Sequence, residues 1–245
     1  MTYIETHITE ACNLRCRGCS HFSVFAKPKH KDIGEFEREF TRLAQLGNIE
    51  VIRLMGGEPL LNPDYMAYAR IARACFPDSK IDIVTNGILA DRITPNTAQL
   101  HALRIGITVS DYHIAAQDLY NMPYTTRHEK GVLYNICLDP TGRQNKAESF
   151  NRCDLHRNKW SFLKDGRIYA CCIAGCIQDF WSHFGLDWSI DQKSLGIDIF
   201  TATAAEIEKF LDTPNELCRF CDTAAREKSY RVFERSKGDI KEWTV

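Results

Sequence analysis

Apolar positions in the first half of the chain switch between two periods. Short β-branched or continuous apolar runs occupy Tyr3–Ile8, Ile49–Met55, Ile81–Thr85 and Ile105–Val109. Between them the spacing changes to i, i+3, i+4. Ile33, Phe36, Phe40, Leu43 and Leu46 form one helical stripe over 32–46, with Asp32 as its N-cap. A second helix is predicted over 64–75, its start marked by Pro63, and a third over 94–103 with Pro95 at the first helical position. Val132–Leu138 reads as a fifth strand. Strands alternating with helices predict an α/β protein with a parallel sheet and helical crossovers, whose ligands gather at the carboxyl ends of the strands.

The rhythm breaks after Asp139. Residues 140–149 are polar and loop-like, so the predicted boundary separates a core over 1–139 from a smaller α+β region over 140–245. There, 160–163 and 167–170 flank Lys164-Asp165-Gly166, and Asp-Gly between apolar runs predicts a hairpin. Helices are expected over 204–211 and 223–235, and no internal repeat is visible.

Composition narrows the partners. Lys and Arg number 31 against 32 Asp and Glu, a formal charge of −1, which gives no electrostatic case for nucleic acid. No apolar stretch approaches the ~18 residues of a membrane span, and the first five residues are not a secretory signal, so no membrane partner and a cytoplasmic location are expected. The unusual count is eleven cysteines, grouped locally, in a chain of 245 residues long enough to bury a core without disulfides. In a reducing compartment such groups read as metal sites.

Cys12, Cys16 and Cys19 are spaced x3 then x2 in the loop after the first strand. Three thiolates suit three irons of a [4Fe–4S] cube and leave the fourth iron open; zinc is the alternative, with His21 or His30 as fourth ligand. Gly56-Gly57-Glu58-Pro59 follows the second strand, Asn86-Gly87 the third, and Ser110-Asp111 the fourth. The cysteine loop and Gly56–Pro59 resemble the CxxxCxxC and GGEP motifs of the radical S-adenosylmethionine (SAM) enzymes. That resemblance implies a partial (β/α) barrel in which SAM chelates the open iron. Gly18, Gly56, Gly57, Glu58, Asn86, Ser110 and Asp111 would then hold SAM, with Glu58 near its methionyl ammonium. Many relatives carry an aromatic residue before the third cysteine; here the position is Gly18, so adenine contacts would come from backbone or from Phe22.

Cys153, a hairpin with Gly166-x4-Cys171, a helix and Cys218-x2-Cys221 form a second group of four. Four thiolates close a site by count, and spacing alone leaves zinc and iron–sulfur even. The layout resembles the twitch domain, a shortened SPASM domain, which implies an auxiliary [4Fe–4S] cluster and a total of two. Cys172 and Cys176 neighbour this site, and either could replace Cys171. Cys75 and Cys137 read as buried structural thiols.

On the substrate side, Glu5 and His7 share one face of strand one, and Tyr112, His113, Arg127, His128 and Arg143 follow in loops. The resemblance implies oxidation of a carbinol in a small amino sugar or aminocyclitol-like molecule: a 5′-deoxyadenosyl radical takes hydrogen, a base takes the hydroxyl proton, and the auxiliary cluster takes the remaining electron. A flavodoxin- or ferredoxin-type donor would reduce the first cluster. Epimerisation, with Cys172 or Cys176 as hydrogen donor, is one alternative. Peptide modification is another, and a chain opening on barrel strand one weighs against it. A zinc-stabilised binding module would be colourless and leave the three-cysteine loop unexplained.

Overall fold

The computed structural model describes residues 1–112, 125–129, 133–226, 230–231 and 233–245; at 125–129, 133–134 and 230–231 the backbone alone is described. The chain divides into two compact units. The first comprises Met1–Asn13 with Lys27–Gly131, the second Leu14–Ala26 with Val132–Val245.

The first unit alternates β1 (Tyr3–Thr9), α1 (Ile33–Leu46), β2 (Val51–Gly56), α2 (Tyr65–Cys75), β3 (Lys80–Thr85), α3 (Thr97–Ala102), β4 (Ile105–Asp111) and β5 (Thr125–Glu129). Its strands lie in the order β5-β4-β3-β2-β1, and each neighbouring pair is parallel. Register separates two faces. Ile4, Ile52, Ile81 and Ile105 lie in one row, and Thr6, Leu54, Ile83 and Ile107 in the next, all buried. This is the apolar face that crossover helices cover. Phe36 and Phe40 of α1 stack at 4.0 Å, Tyr68 meets Phe36 edge-on, and all three are buried. Asp32 caps α1 as the sequence predicts, accepting from the Glu35 amide at 2.8 Å.

Three expectations are corrected here. The fifth strand of the parallel sheet is Thr125–Glu129, while 132–138 contributes only the two-residue β6 (Leu133–Tyr134) to the other unit. Thr-Thr-Arg-His-Glu carries no apolar period in sequence, and its strand is recognised by backbone pairing with β4. Pro95 lies in a short 3-10 turn, Thr94–Asn96, and α3 starts after it. The predicted last helix stops early, as α8 (Thr223–Arg226), and Tyr230–Arg231 is β10, paired antiparallel with β6.

The second unit contains α4 (Lys146–Arg152), α5 (Asp154–Arg157), β7 (Ser161–Lys164), β8 (Arg167–Tyr169), α6 (Cys172–Phe184), β9 (Gly196–Asp198) and α7 (Ala204–Leu211) besides β6, α8 and β10. β7, β8 and β9 form an antiparallel sheet. The hairpin turns at Asp165 and Gly166, both with φ near the left-handed region (48° and 71°), as a two-residue type I′ turn requires. The α6 helix, which the sequence reading did not anticipate, supplies seven of the eighteen buried residues of this unit's core. Ile173, Ala174, Ile177, Phe180 and Trp181 are buried with Phe162, Trp188 and Trp243. Its first half, 172–177, is buried without a polar residue, and only Gln178, Asp179, Ser182 and His183 mark an outer face in its second half.

Gly166 offers a direct check on the hairpin. A Cβ there would sit 2.9 Å from the Phe200 ring and would hold φ at 71°. Gly166→Ala is expected to lower unfolding free energy by about 1–2 kcal/mol, measurable as a shifted denaturant midpoint with unchanged slope.

Candidate metal centres

The glycines after β2 are required by the loop after β1. A Cβ on Gly56 would lie 2.1 Å from the Thr9 carbonyl oxygen, and one on Gly57 would lie 2.4 Å from that of Ala11 and 2.7 Å from Cys12 Cβ. This close approach lets the Gly57 amide donate to Thr9 O (3.1 Å) and the Glu58 amide to Ala11 O (2.8 Å). The pair thus fixes the chain that delivers Cys12.

Glu58 is fully buried. Its carboxylate accepts from the Thr85 hydroxyl at 2.7 Å, the Asn86 amide at 2.8 Å and the Leu60 amide at 3.1 Å. Burial pushes this carboxyl above its ordinary value, and the three donors pull it back. The carboxylate therefore ties the end of β2 to the end of β3. Asn86 continues the tie, donating from Nδ2 to Asn13 Oδ1 at 2.7 Å, beside Cys12. Ser110 and Asp111 are buried at the end of β4. His30, a candidate zinc ligand, is exposed with Nδ1 2.9 Å from Thr9 Oγ1.

The second face of the parallel sheet is polar. Glu5, Arg53 and Asp82 lie in register across β1, β2 and β3. Glu5 accepts from Tyr3 OH at 2.5 Å, and the Arg53 guanidinium lies 5.4 Å from the centre of the Tyr3 ring. His7 pairs through Nδ1 with Glu10 at 3.1 Å. Buried Asp82 and partly buried Arg53 were missed by the sequence reading. The signal was present: a charge at alternate positions of two otherwise apolar strands, in register with Glu5. Such a row can hold hydroxyl and amino groups of a small polar molecule. Tyr112 is partly buried just after β4. Arg127 and His128 stand opposite Val109 and Ser110 in backbone register, with side chains outside the described residues, and His113 also lies outside them.

Cys16 and Cys19 belong to the second unit, where the carboxyl-terminal segment holds their loop. Cys16 bridges Arg235 in antiparallel fashion, and the Arg17 amide donates to Glu234 O at 3.0 Å. The Ser236 amide donates to Arg15 O at 2.7 Å, and Trp243 Nε1 donates to Cys19 O at 3.0 Å. Gly18 takes φ 62° between the two cysteines. Phe22 is fully buried against Phe180, ring centres 5.2 Å apart. It serves the core, which removes it as a surface for adenine.

Cys153, Cys171, Cys218 and Cys221 line one cavity of this unit. Three local structures deliver them. Cys153 ends α4, Cys171 is the N-cap of α6 with its sulfur 3.5 Å from the Ala174 amide, and Cys218 and Cys221 lie in and after the 3-10 turn Glu216–Phe220. Burial, and then the neighbouring sulfurs, push the Cys171 thiol well above its ordinary value. Burial and Cys221 push Cys218 up to about 12, and burial pushes Cys221 up to about 11. Four thiols around one cavity are a donor set that a multivalent cation would convert to thiolates. Cys172 and Cys176 are buried in the α6 core and do not line the cavity. Cys137 is buried, and burial raises the partly buried Cys75 thiol. Arg143 is exposed in the turn built on Asp139.

The radical SAM superfamily model matches residues 6–131, and the chain belongs to this superfamily. Membership implies a [4Fe–4S] cluster and SAM. GTP 3′,8-cyclase of Chlorobaculum tepidum is 38% identical over 90 residues, covering 37% of this chain and 27% of that protein. The same enzyme of Stenotrophomonas maltophilia is 35% identical over 109 residues, covering 43% and 33%. The matched stretch thus spans about a quarter to a third of the length of these curated relatives. Among solved structures, BtrN in complex with AdoMet and 2-DOIA aligns over 91% of this chain and 93% of its own, with a TM-score of 0.55 and 17% identity. That likeness is one of fold. No described helix is long and apolar enough to cross a membrane.

Gly57→Ala is expected to break the approach between β2 and the cysteine loop. Overpacking typically costs about 1–3 kcal/mol, and here the obstacle is backbone. Anaerobic reconstitution should then retain less iron than the wild type at equal protein concentration, with a lower melting temperature.

Proposed function

We propose that the chain is a radical SAM oxidoreductase acting on a carbinol of a small polar substrate of the amino sugar or aminocyclitol kind, with two [4Fe–4S] clusters. The observation that carries the reading is the closed set Cys153, Cys171, Cys218 and Cys221 around one cavity. The sequence layout resembles 2-deoxy-scyllo-inosamine dehydrogenase, and the fold likeness to BtrN with AdoMet supports the same direction. Cys12, Cys16 and Cys19 would hold the first cluster, and the four cavity cysteines the auxiliary one. When bound, the first cluster and SAM supply a 5′-deoxyadenosyl radical, and the auxiliary cluster supplies an electron acceptor. Gly56, Gly57, Asn86, Ser110 and Asp111 lie where the parallel strands end, the place at which SAM would bind. Glu5, Arg53 and Asp82 would orient substrate hydroxyl or amino groups from the polar face.

The electron count requires an acceptor. Oxidising an alcohol to a ketone removes two electrons and two protons. Abstraction of the carbon-bound hydrogen accounts for one electron and one proton. A base takes the hydroxyl proton, and the last electron leaves for the acceptor. A reduced flavodoxin- or ferredoxin-type protein would supply the electron that cleaves SAM.

A second reading, nucleotide cyclisation, is favoured by the stretch 38% identical to GTP 3′,8-cyclase. Anaerobic incubation with SAM, reductant and either GTP or a panel of aminocyclitols and amino sugars decides between them. Loss of two hydrogens from a panel member, with matching 5′-deoxyadenosine, supports the oxidoreductase. An isomer of GTP supports the cyclase, and an inverted alcohol points to an epimerase.

Two further outcomes are expected. Anaerobically purified protein should be brown and bind about eight irons per chain, and replacing Cys12, Cys16 and Cys19 by Ala should leave roughly half. Stoichiometric zinc without visible absorption would sink the reading. Replacing Cys218 and Cys221 by Ala should preserve SAM cleavage to 5′-deoxyadenosine while abolishing ketone, with circular dichroism reporting retained fold. Ketone at the wild-type rate from a folded variant would remove the acceptor role.

A further inference from the structure

One buried cation faces the four-cysteine cavity. Arg226, on α8, is 4% exposed and lies in the cavity wall. Its Nε and Nη2 donate to the Ile136 carbonyl at 3.1 and 3.0 Å, forming a fork on one oxygen. Its Nη1 lies 3.4 Å from Cys153 Sγ and 3.6 Å from Asp154 Oδ1, whose side chain is 35% exposed. A guanidinium keeps its charge even when buried, and burial of that charge is costly without compensation. The fork fixes the guanidinium in orientation, and the carboxylate that offsets it is partly solvated. Its Nη1 thus stands between that carboxylate and a cavity sulfur.

We propose that Arg226 sets the reduction potential of the auxiliary cluster, holding it high enough to accept the substrate electron. This rests on the reading of Cys153, Cys171, Cys218 and Cys221 as cluster ligands. A cube carrying two positive charges and held by four thiolates has a net charge of −2, and it becomes −3 on reduction. A fixed cation and an N–H donor at one ligand sulfur stabilise the second state more than the first. Net charge and hydrogen bonds to sulfur are the levers that move such potentials. Arg226 is therefore a positioning residue for charge, acting on the cavity sulfurs of Cys153 and Cys221 and not touching substrate.

The test is an EPR-monitored redox titration of full-length, anaerobically reconstituted protein, repeated with Cys12, Cys16 and Cys19 replaced by Ala so that only the auxiliary signal remains. Arg226→Gln should make reduction at least tenfold less favourable, a downward shift of about 59 mV for one electron. Arg226→Lys keeps the charge and loses the fork, so its potential should fall by part of that amount. Iron content and circular dichroism accompany each titration. A folded, fully loaded Gln variant with wild-type potential would overturn the proposal. If the Gln variant does not fold, a loaded Lys variant with wild-type potential would overturn it equally. Folded variants that lose the auxiliary iron altogether would make Arg226 a structural staple instead. Failure of the underlying site is separate: wild-type protein with only about four irons, or none in the triple variant, would remove the auxiliary cluster itself.

Discussion

The first unit depends on a contact that only residues without side chains permit. β2 ends against the loop that leaves β1, and the carbonyls of Thr9 and Ala11 occupy the space a Cβ would need at Gly56 and Gly57. Everything that gathers at the strand ends follows from that approach. Two amides bond across it, Glu58 then reaches β3 with both carboxylate oxygens, and Asn86 returns from β3 to Asn13. A buried carboxylate with three donors is a rigid link, because each donor would be left unsatisfied without it. The Gly-Gly-Glu motif is thus a structural clasp around Cys12 as well as a candidate SAM site, and the two uses share one cause. Backbone stripped of side chains is needed for a neighbouring strand and for a ligand alike.

The second unit solves a different problem. Burial first, and then the neighbouring sulfurs, raise the Cys171, Cys218 and Cys221 thiols, so the protein alone favours the neutral forms of these three. Their convergence has little to recommend it as apolar packing, since the unit already has a large core around α6. A bound cation, as proposed for this site, would supply a physical reason to assemble them. The carboxyl-terminal segment adds a second task. It bonds to residues on both sides of Cys16, and Trp243 serves at once as a buried core side chain and as a donor to Cys19 O. Leu138 accepts the Val245 amide, donates to Trp243 O, and bridges Cys221. Within this unit the supports of the two cysteine groups therefore run through the same few residues.

Most of the parallel core was legible because its signals are local. The stripe Ile33–Leu46, its Asp32 cap and the apolar strands gave elements within a residue or two of those observed. The Asp165-Gly166 hairpin was legible for the same reason, since two positive φ values select those residues. Thr125–Glu129 was not, because its strand character comes from pairing with β4 and leaves no apolar period. The α6 helix failed from the opposite excess: 172–177 is buried all round, so the first half of the helix traces no single apolar face. Asp82 and Arg53 were each unremarkable in sequence until register placed them beside Glu5.

The sequence by itself determined the chemistry on offer: three cysteines after β1, four more at spacings that fit a closed site, and glycines and polar residues after successive strands. Ligand type and short spacing are properties of the covalent chain. Tertiary structure decided which residues stand where that chemistry could be used. It turned the Glu58 carboxylate toward β3, buried Phe22 in a core, kept Cys172 and Cys176 out of the cavity while admitting Cys171, and set Arg226 against Cys153 across seventy-three residues. The physical reason is that burial, side-chain direction and charge proximity depend on contacts distant in sequence, and no local pattern encodes them.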